Sequence, residues 1–509
     1  MARPRDVPQL KSQPHSVRSP RQLLEEAELL RQQGKLDRAE SACYSLVRRH
    51  PGYVAALHTL GLVYLDKGNF ERALDCLVRA SMRDPTNWMT LTALSLAYLR
   101  LGASEMASQT LHKALEIRPQ DASIFSSLGE IYREEREYEL AENAYRQALT
   151  FEPTMETPVA GLALCLSNLG RTAEAAKVLG EAYGRGVRSL RLLHVMTTLP
   201  RGAIPVDILK ALDPFAIDLN ASSAALKNTF LFVKAAAFDA AENHKEAWDT
   251  LVAANRPLAK EHYAQLKADI AARGKSLARL RAVAGAARPL VSGDRPVSLF
   301  ILGPSRSGKT TLERLVGSLD QVKIGCEAPV VEKAVNRSFQ TAALPTGSHL
   351  DDLPEELLSL FRQTYLEDVA RRAGSARVFT NTRPGHIHYA ARLASVIPNA
   401  RFLLVKRDAD DVAWRIYLTK YLSGNPYAYD LDTIIDYLNW YNEMIDLTAK
   451  KLPEITRIVR YEAIVDDPAA SLHDVAELCG LDFNREPLPP IPNDRGCATP
   501  YRAVLNPHG

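Results

Sequence analysis

The chain has 509 residues, 46% of them hydrophobic and 24% charged, the make-up of a globular protein long enough for about three domains. Lys and Arg (63) nearly balance Asp and Glu (60), and a net charge of +3 excludes a global field of the kind that draws nucleic acid or a membrane surface. Six scattered cysteines, with no C-x-x-C pair and no metal spacing, read as core residues or free thiols of a reducing compartment.

No apolar run reaches the roughly 18 residues of a membrane span, and the opening MARPRDVPQLKSQPHSVRSP has no apolar signal core. Residues 1–19 are expected to form a disordered basic arm, and the protein to be soluble and cytoplasmic. Prolines then fall at Pro51, Pro85, Pro119 and Pro153, a constant step of 34. Alanines keep that step at Ala39, Ala73, Ala107, Ala141 and Ala175, as do Gly34, Gly68, Gly102 and Gly170, with Arg136 in the missing glycine slot. Leu60, Leu94, Leu128 and Leu162 hold a further register, and Tyr64, Tyr98, Tyr132 and Leu166 another. The pattern resembles the tetratricopeptide repeat, a pair of antiparallel helices that buries its apolar face only against the next pair. Small alanines suit close helix approach, Gly a helix stop and Pro the opening of the next unit. The resemblance implies a solenoid over 20–189 whose groove takes a protein or peptide partner, one that could itself carry the substrate hydroxyl. Pure scaffolding and self-association stay open.

Residues 190–290 keep helical periodicity without the registers and read as a helical adaptor with a degenerate repeat near 236–249. A long basic helix is expected from Pro257 to Ala287, then a Pro- and Gly-containing linker over 288–296. From Val297 to Leu302 an apolar run reads as a strand covered on both faces. It leads into Gly303-Pro-Ser-Arg-Ser-Gly308-Lys309-Thr310, a full match to G-x-x-x-x-G-K-[ST]. Glycines let successive N–H groups converge on one concave nest, the following helix adds its positive end, and Lys309 and Arg306 add full charges. This is a nucleotide-phosphate site.

Strands are expected at 377–380, 402–405 and 457–460, with helices near 353–373, 385–397, 409–422 and 430–451. Such alternation predicts a parallel sheet with ligands at the strands' C-terminal ends. The segment 400–417, ARFLLVKRDADDVAWRIY, resembles the sulfotransferase stretch that holds the 3′-phosphate of 3′-phosphoadenosine 5′-phosphosulfate (PAPS). Arg407 matches the family's Arg, and Arg415 stands where the family has Ser. Pro426 to Leu431, Tyr437 to Tyr441, Val459-Arg-Tyr-Glu462, Val465-Asp-Asp-Pro468 and Cys479-Gly-Leu481 are similar to the tetratricopeptide-repeat sulfotransferases. The cradle is similar too, except that Lys309 replaces a Thr.

The expected fold is therefore an α-helical tetratricopeptide solenoid followed, over 295–509, by a P-loop α/β sulfotransferase domain with a parallel sheet. The resemblance implies a PAPS-dependent sulfotransferase. Arg306, Ser307, Gly308, Lys309, Thr310 and Thr311 would hold the 5′-phosphosulfate, Arg407 and Arg415 the 3′-phosphate, and Tyr461 would pack beside it. Glu327, in Gly325-Cys326-Glu327, lies where protein-tyrosine sulfotransferases carry their catalytic Glu, and is the expected base. Lys309 is expected to stabilise transferred charge. Thr499, in Cys497-Ala-Thr-Pro-Tyr-Arg502, stands for a Ser that holds the moving group. Thr382, in Asn381-Thr-Arg-Pro384, replaces the family's D-K-x-P lysine, leaving Lys309 or Arg383 to supply charge. His386 and His388 read as packing or surface residues. No metal is expected. The rivals are a P-loop kinase or ATPase, which would want an Asp where Lys406-Arg407 follows the strand, and a decayed repeat scaffold.

Overall fold

The computed structural model describes residues 19–216, 223–283, 296–345, 348–421, 424–483, 488–489 and 491–505. All of the expected basic arm (1–19) except Ser19, which caps the first helix, and all of the linker before Pro296 lie outside the described residues. The chain divides into two compact units, Met1–Leu162 and Ala163–Gly509.

The first unit is a run of antiparallel helix pairs: Pro20–Gln32 with Leu36–Arg49, Val54–Asp66 with Phe70–Arg83, Trp88–Arg100 with Ser104–Ile117, and Ala122–Glu134 with Tyr138–Phe151. The 34-residue registers map onto this geometry directly. Ala39, Ala73, Ala107 and Ala141 have no exposed surface, because each sits where one helix of a pair crosses the other. Leu60, Leu94 and Leu128 fill the space beside them. The glycine slot is a left-handed helix stop, with φ of 72° to 77° at Gly34, Gly68 and Gly102, and Arg136 adopts the same conformation at φ 62° despite its side chain. Asn69, Asn87 and Asp121 cap helix starts through their side chains, and Ser19 forms a capping box with Gln22.

The second unit holds a five-stranded, all-parallel sheet in the order β2-β3-β1-β4-β5, where β1 is Val297–Leu302, β2 Val322–Lys323, β3 Val378–Asn381, β4 Ala400–Lys406 and β5 Thr456–Arg460. The two-residue edge strand β2 had no sequence signal. Successive residues of β1 and β4 point to opposite faces. Phe300, Leu302, Phe402 and Leu404 pack with Phe361, Tyr365, Tyr437 and Tyr441, while Leu299, Ile301, Leu403 and Val405 pack with Leu312, Val316, Leu472 and Val475. Both faces are covered, as the unbroken apolar strands require. The order reverses at β1, with β3 and β4 on either side, so the crevice beyond its C-terminal end is where a ligand belongs.

Phe232, Ala235, Leu251, Ala254, Leu266 and Leu280 join the same core as Phe300 and Phe402. The single long helix expected from Pro257 is corrected: Pro257 lies inside His244–Glu261, and a second helix runs Tyr263–Ala282. Burial of Ala247, Leu251, Ala254 and Asn255 holds the first helix across its proline, and the chain breaks at His262, whose ring stacks on Tyr429. The helix expected at 385–397 is a 3₁₀ turn, Pro384–Tyr389, followed by Ala390–Val396, and the one expected at 409–422 ends at Tyr417. Among the described residues no helix is long and apolar enough to cross a membrane.

Candidate active site

β1 hands the chain to the cradle, and the cradle to the helix Lys309–Val316. Gly308, its N-cap, has φ 97°, and a Cβ there would strike the ring of Tyr461. Arg306 takes φ 66° with a side chain attached, a strained conformation of the sort that collects at ligand sites. Arg306 and Thr310 are exposed, Thr311 is half-buried, and Ser307 and Lys309 are buried. The Ser307 hydroxyl has no hydrogen-bond partner among the described residues, so an incoming oxygen would satisfy it. Lys309 Nζ donates to the Pro304 carbonyl (2.8 Å). Burial pulls its pKa down to about 8, Arg306 adds to that, and the charges of Glu327 and Glu313 oppose it.

A second cationic cluster forms where β4 and β5 end. Arg407, from the turn after β4, and Arg415, one helix face further on, both reach the carboxylate of Asp494. Arg407 Nη2 stands 3.1 Å from Asp494 Oδ1 and donates to the Asp494 carbonyl at 2.9 Å. Its Nη1 donates to the Arg306 carbonyl (3.4 Å), which joins this cluster to the cradle. Its buried Nε–H has no partner among the described residues. The Tyr461 hydroxyl donates to Asp494 Oδ1 (2.5 Å) and the Pro492 carbonyl (2.7 Å), with the Arg407 guanidinium 4.3 Å above its ring. Burial would raise the Asp494 carboxyl, but Arg415, Tyr461 and Arg407 outweigh it and hold the group below the usual carboxylate range.

The third part is the loop after β2. Gly325 N–H donates to Thr380 Oγ1 (2.8 Å), Thr382 N–H to the Cys326 carbonyl (3.2 Å), and Arg383 Nε–H to the Glu327 carbonyl (2.9 Å). Cys326 sits at φ 52°, a second strained residue with a side chain. The half-buried Glu327 is close enough for its charge to act on both Lys309 and Glu313. Arg383 and His386 share the Glu332 carboxylate, at 3.2 and 3.1 Å. His388 faces Ser276 (2.7 Å), and burial pushes its pKa down to about 4, so it is neutral.

The fold thus brings together the cradle, Arg407, Arg415, Tyr461 and Glu327. Thr499 stands apart: it is exposed, its hydroxyl lies over Gly496, and no hydrogen bond among the described residues joins it to the cradle. Glu313 escaped sequence reading. Its buried carboxylate accepts from Thr380 and Thr382 and from the Cys326 N–H, and burial raises its pKa to about 7, with Glu327 adding to the rise. Lys309, Leu312, Glu313 and Val316 follow i, i+3, i+4, i+7, so a carboxylate in the buried stripe was the available signal. Asp411 was also missed. It accepts the N–H groups of Gly496 (2.7 Å) and Ala498 (3.0 Å) and so fixes the C-terminal segment.

An α/β domain with two cationic clusters at its switch point is the class this geometry defines. Residues 296–485 match the sulfotransferase family, and residues 30–93, 90–121 and 122–155 match tetratricopeptide repeats. The chain combines a sulfotransferase-family domain with tetratricopeptide repeats. It is 27% identical over 199 residues to an uncharacterized protein of Aquifex aeolicus (strain VF5), covering 37% of this chain and 26% of that protein. It is 25% identical over 196 residues to protein-tyrosine sulfotransferase 2 of Gallus gallus, covering 36% and 52%. The chain spans about a quarter and about half the length of these curated relatives. Two solved structures are similar: TTC0263, a thermophilic TPR protein of Thermus thermophilus (25% identity, 34% of this chain and 95% of that one, TM-score 0.31), and a tetratricopeptide repeat protein of Parabacteroides merdae (18%, 46% and 91%, 0.36).

Proposed function

We propose that the C-terminal domain transfers the sulfuryl group of PAPS to a hydroxyl acceptor. The observation that carries this reading is the pair of anion subsites: a glycine-bounded nest at the end of β1, and Arg407 with Arg415 and Tyr461 closing on a carboxylate beside it. A donor with one anionic group at its 5′ end and another at its 3′ position needs two such subsites, joined as Arg407 and the Arg306 carbonyl join these. The sulfotransferase-family match over 296–485 supports the same chemistry.

Arg306, Ser307, Gly308, Lys309, Thr310 and Thr311 would hold the 5′-phosphosulfate, with the unpartnered Ser307 hydroxyl and the helix N-terminus donating to its oxygens. Arg407 and Arg415 would grip the 3′-phosphate, and Tyr461 would pack against Arg407. The acceptor oxygen attacks sulfur as its bond to the 5′-phosphate oxygen breaks, leaving adenosine 3′,5′-bisphosphate. The acceptor proton passes to Glu327, whose loop is fixed from Thr380, Thr382 and Arg383. Lys309 balances charge on the transferred group. Thr499 would reach that group only by a rearrangement of its segment. None of these roles needs a metal ion. The repeats, as in other tetratricopeptide arrays, would bind a protein or peptide, which could present the acceptor hydroxyl. A cytoplasmic location suits six cysteines that form no disulfide among the described residues.

The full G-x-x-x-x-G-K-T match keeps one rival, a P-loop kinase or ATPase. Calorimetric titration separates them: adenosine 3′,5′-bisphosphate should bind without Mg²⁺, whereas binding of Mg·ATP alone would refute the sulfotransferase reading.

A further inference from the structure

We propose that Asp494 is a specificity-determining residue of the donor site: its carboxylate holds the place of the donor's 3′-phosphate, and the nucleotide binds by exchanging with it. This rests on the PAPS reading above. The two guanidiniums and the phenol proposed for the phosphate all converge on this one side chain. A carboxylate is a smaller anion than phosphate and leaves the cluster incompletely satisfied, since the buried Arg407 Nε–H has no partner among the described residues. A phosphate, with three acceptor oxygens and a larger charge, can meet both guanidiniums and the remaining N–H together.

The segment carrying Asp494 is held at both ends and lightly between them. Downstream it is anchored: Asp411 accepts the Gly496 and Ala498 N–H groups, and the Tyr501 hydroxyl donates to Asp239 Oδ1 (2.8 Å) while its ring stacks on Trp414 with centroids 3.5 Å apart. On either side of Asp494, Pro492, Asn493 and Arg495 are exposed, and Gly496 lies at φ 70°, a glycine-only pivot next to the anchored part. Apart from its own contacts, Asp494 is held by the Tyr461 bond to the Pro492 carbonyl, an exposed pair of Arg495 with Asp466 (2.5 Å), and, further back, Ile491 packed against the core that holds Leu472 and Val475. The exchange therefore needs to move only residues 492–495, between the packed Ile491 and the anchored Gly496. The wild-type chain then discriminates between nucleotides by competition. A nucleotide with a 3′-phosphate must displace a bound carboxylate, so its apparent affinity is reduced by the fraction of molecules in which the subsite is open. One without that phosphate meets no such penalty.

The test compares wild type with Asp494→Asn, which keeps the shape and removes the charge. Calorimetry should show adenosine 3′,5′-bisphosphate binding about tenfold tighter to the variant, with adenosine 5′-monophosphate affinity unchanged. Binding by both proteins with equal or weaker affinity in the variant overturns the proposal and leaves the donor reading standing. Binding of adenosine 3′,5′-bisphosphate by neither protein removes the donor reading and this inference with it. A crystal structure of the wild-type complex guards against a variant that merely disturbs the segment. Asp494 should have left Arg407 and Arg415, and a carboxylate still seated between them beside bound nucleotide refutes the exchange.

Discussion

Glu313 offers a test that needs no substrate. Its carboxyl is buried beneath the cradle, and that burial, with the charge of Glu327, raises its pKa from 4.5 to about 7 against the hydrogen bonds from Thr380, Cys326 and Thr382. The folded chain therefore binds a proton between these two values that the unfolded chain has released. Where the native state binds more protons, stability falls as pH rises. Glu313 should contribute a loss of stability from about pH 4.5 to about pH 7 that levels off above, opposed in wild type by His194 and His388, whose burial-lowered pKa values near 4 add stability over much of the same window. The gap of 2.5 between 4.5 and 7, at about 1.4 kcal/mol per pH unit, is about 3–4 kcal/mol. Glu313→Gln fills the same space without titrating, so its curve should lack that decline, whatever constant offset the altered hydrogen bonds impose. Urea unfolding followed by tryptophan fluorescence suits the measurement, because Trp248, Trp414 and Trp440, three of the four tryptophans, lie in the unit that holds Glu313. Parallel wild-type and variant curves across pH 5 to 8 would refute the assignment of a raised pKa to this carboxyl.

Glu327→Gln should leave donor affinity nearly unchanged while turnover on a hydroxyl acceptor drops about 10²–10⁴-fold; equal losses in both would make Glu327 a structural residue. Affinity for adenosine 3′,5′-bisphosphate should fall as pH rises through about 8, where Lys309 sheds its proton, and Lys309→Ala should flatten that profile and weaken transition-state stabilisation by about 2–4 kcal/mol. An unchanged profile in the variant would show that the ammonium does not face the donor. Arg136→Gly, at φ 62°, should stabilise the repeat unit by about 1 kcal/mol by relieving a left-handed side chain, read as a higher midpoint in thermal unfolding. A lower midpoint would mean that the arginine's bond to the Tyr138 hydroxyl (2.9 Å) outweighs its backbone strain.

The repeats and the cradle were readable because their physics is local. A helix pair repeats its contacts every 34 residues, so the alanines with no exposed surface and the left-handed glycines announce themselves by period, and Arg136 was recognisable as an intruder before its φ was known. The cradle packs its chemistry into eight consecutive residues. What escaped was set by contacts across long stretches of chain. Asp494 reaches Arg407 and Arg415 from 87 and 79 residues away, and nothing in Asn493-Asp494-Arg495 signals such partners. Pro257 misled because a proline is a good first helical residue, and only the burial of Leu251, Ala254 and Asn255 shows why the helix runs through it.

The departures from the family pattern fit one account of charge. The resemblance places a lysine where Thr382 stands, and a threonine where Lys309 stands. Thr382 is buried, and its hydroxyl donates to Glu313, which also receives Thr380 and the Cys326 N–H. Lys309 sits one helical turn before Glu313 on the same buried face, and the charges of Glu327 and Glu313 both act on it. On the proposed reading, the cation that the resemblance places in the loop after β3 is supplied instead from the cradle, by Lys309. A match to the nucleotide-kinase consensus can therefore arise inside a sulfotransferase-family domain by relocating a single charge, and the full G-x-x-x-x-G-K-T pattern is weaker evidence for ATP here than its completeness suggests.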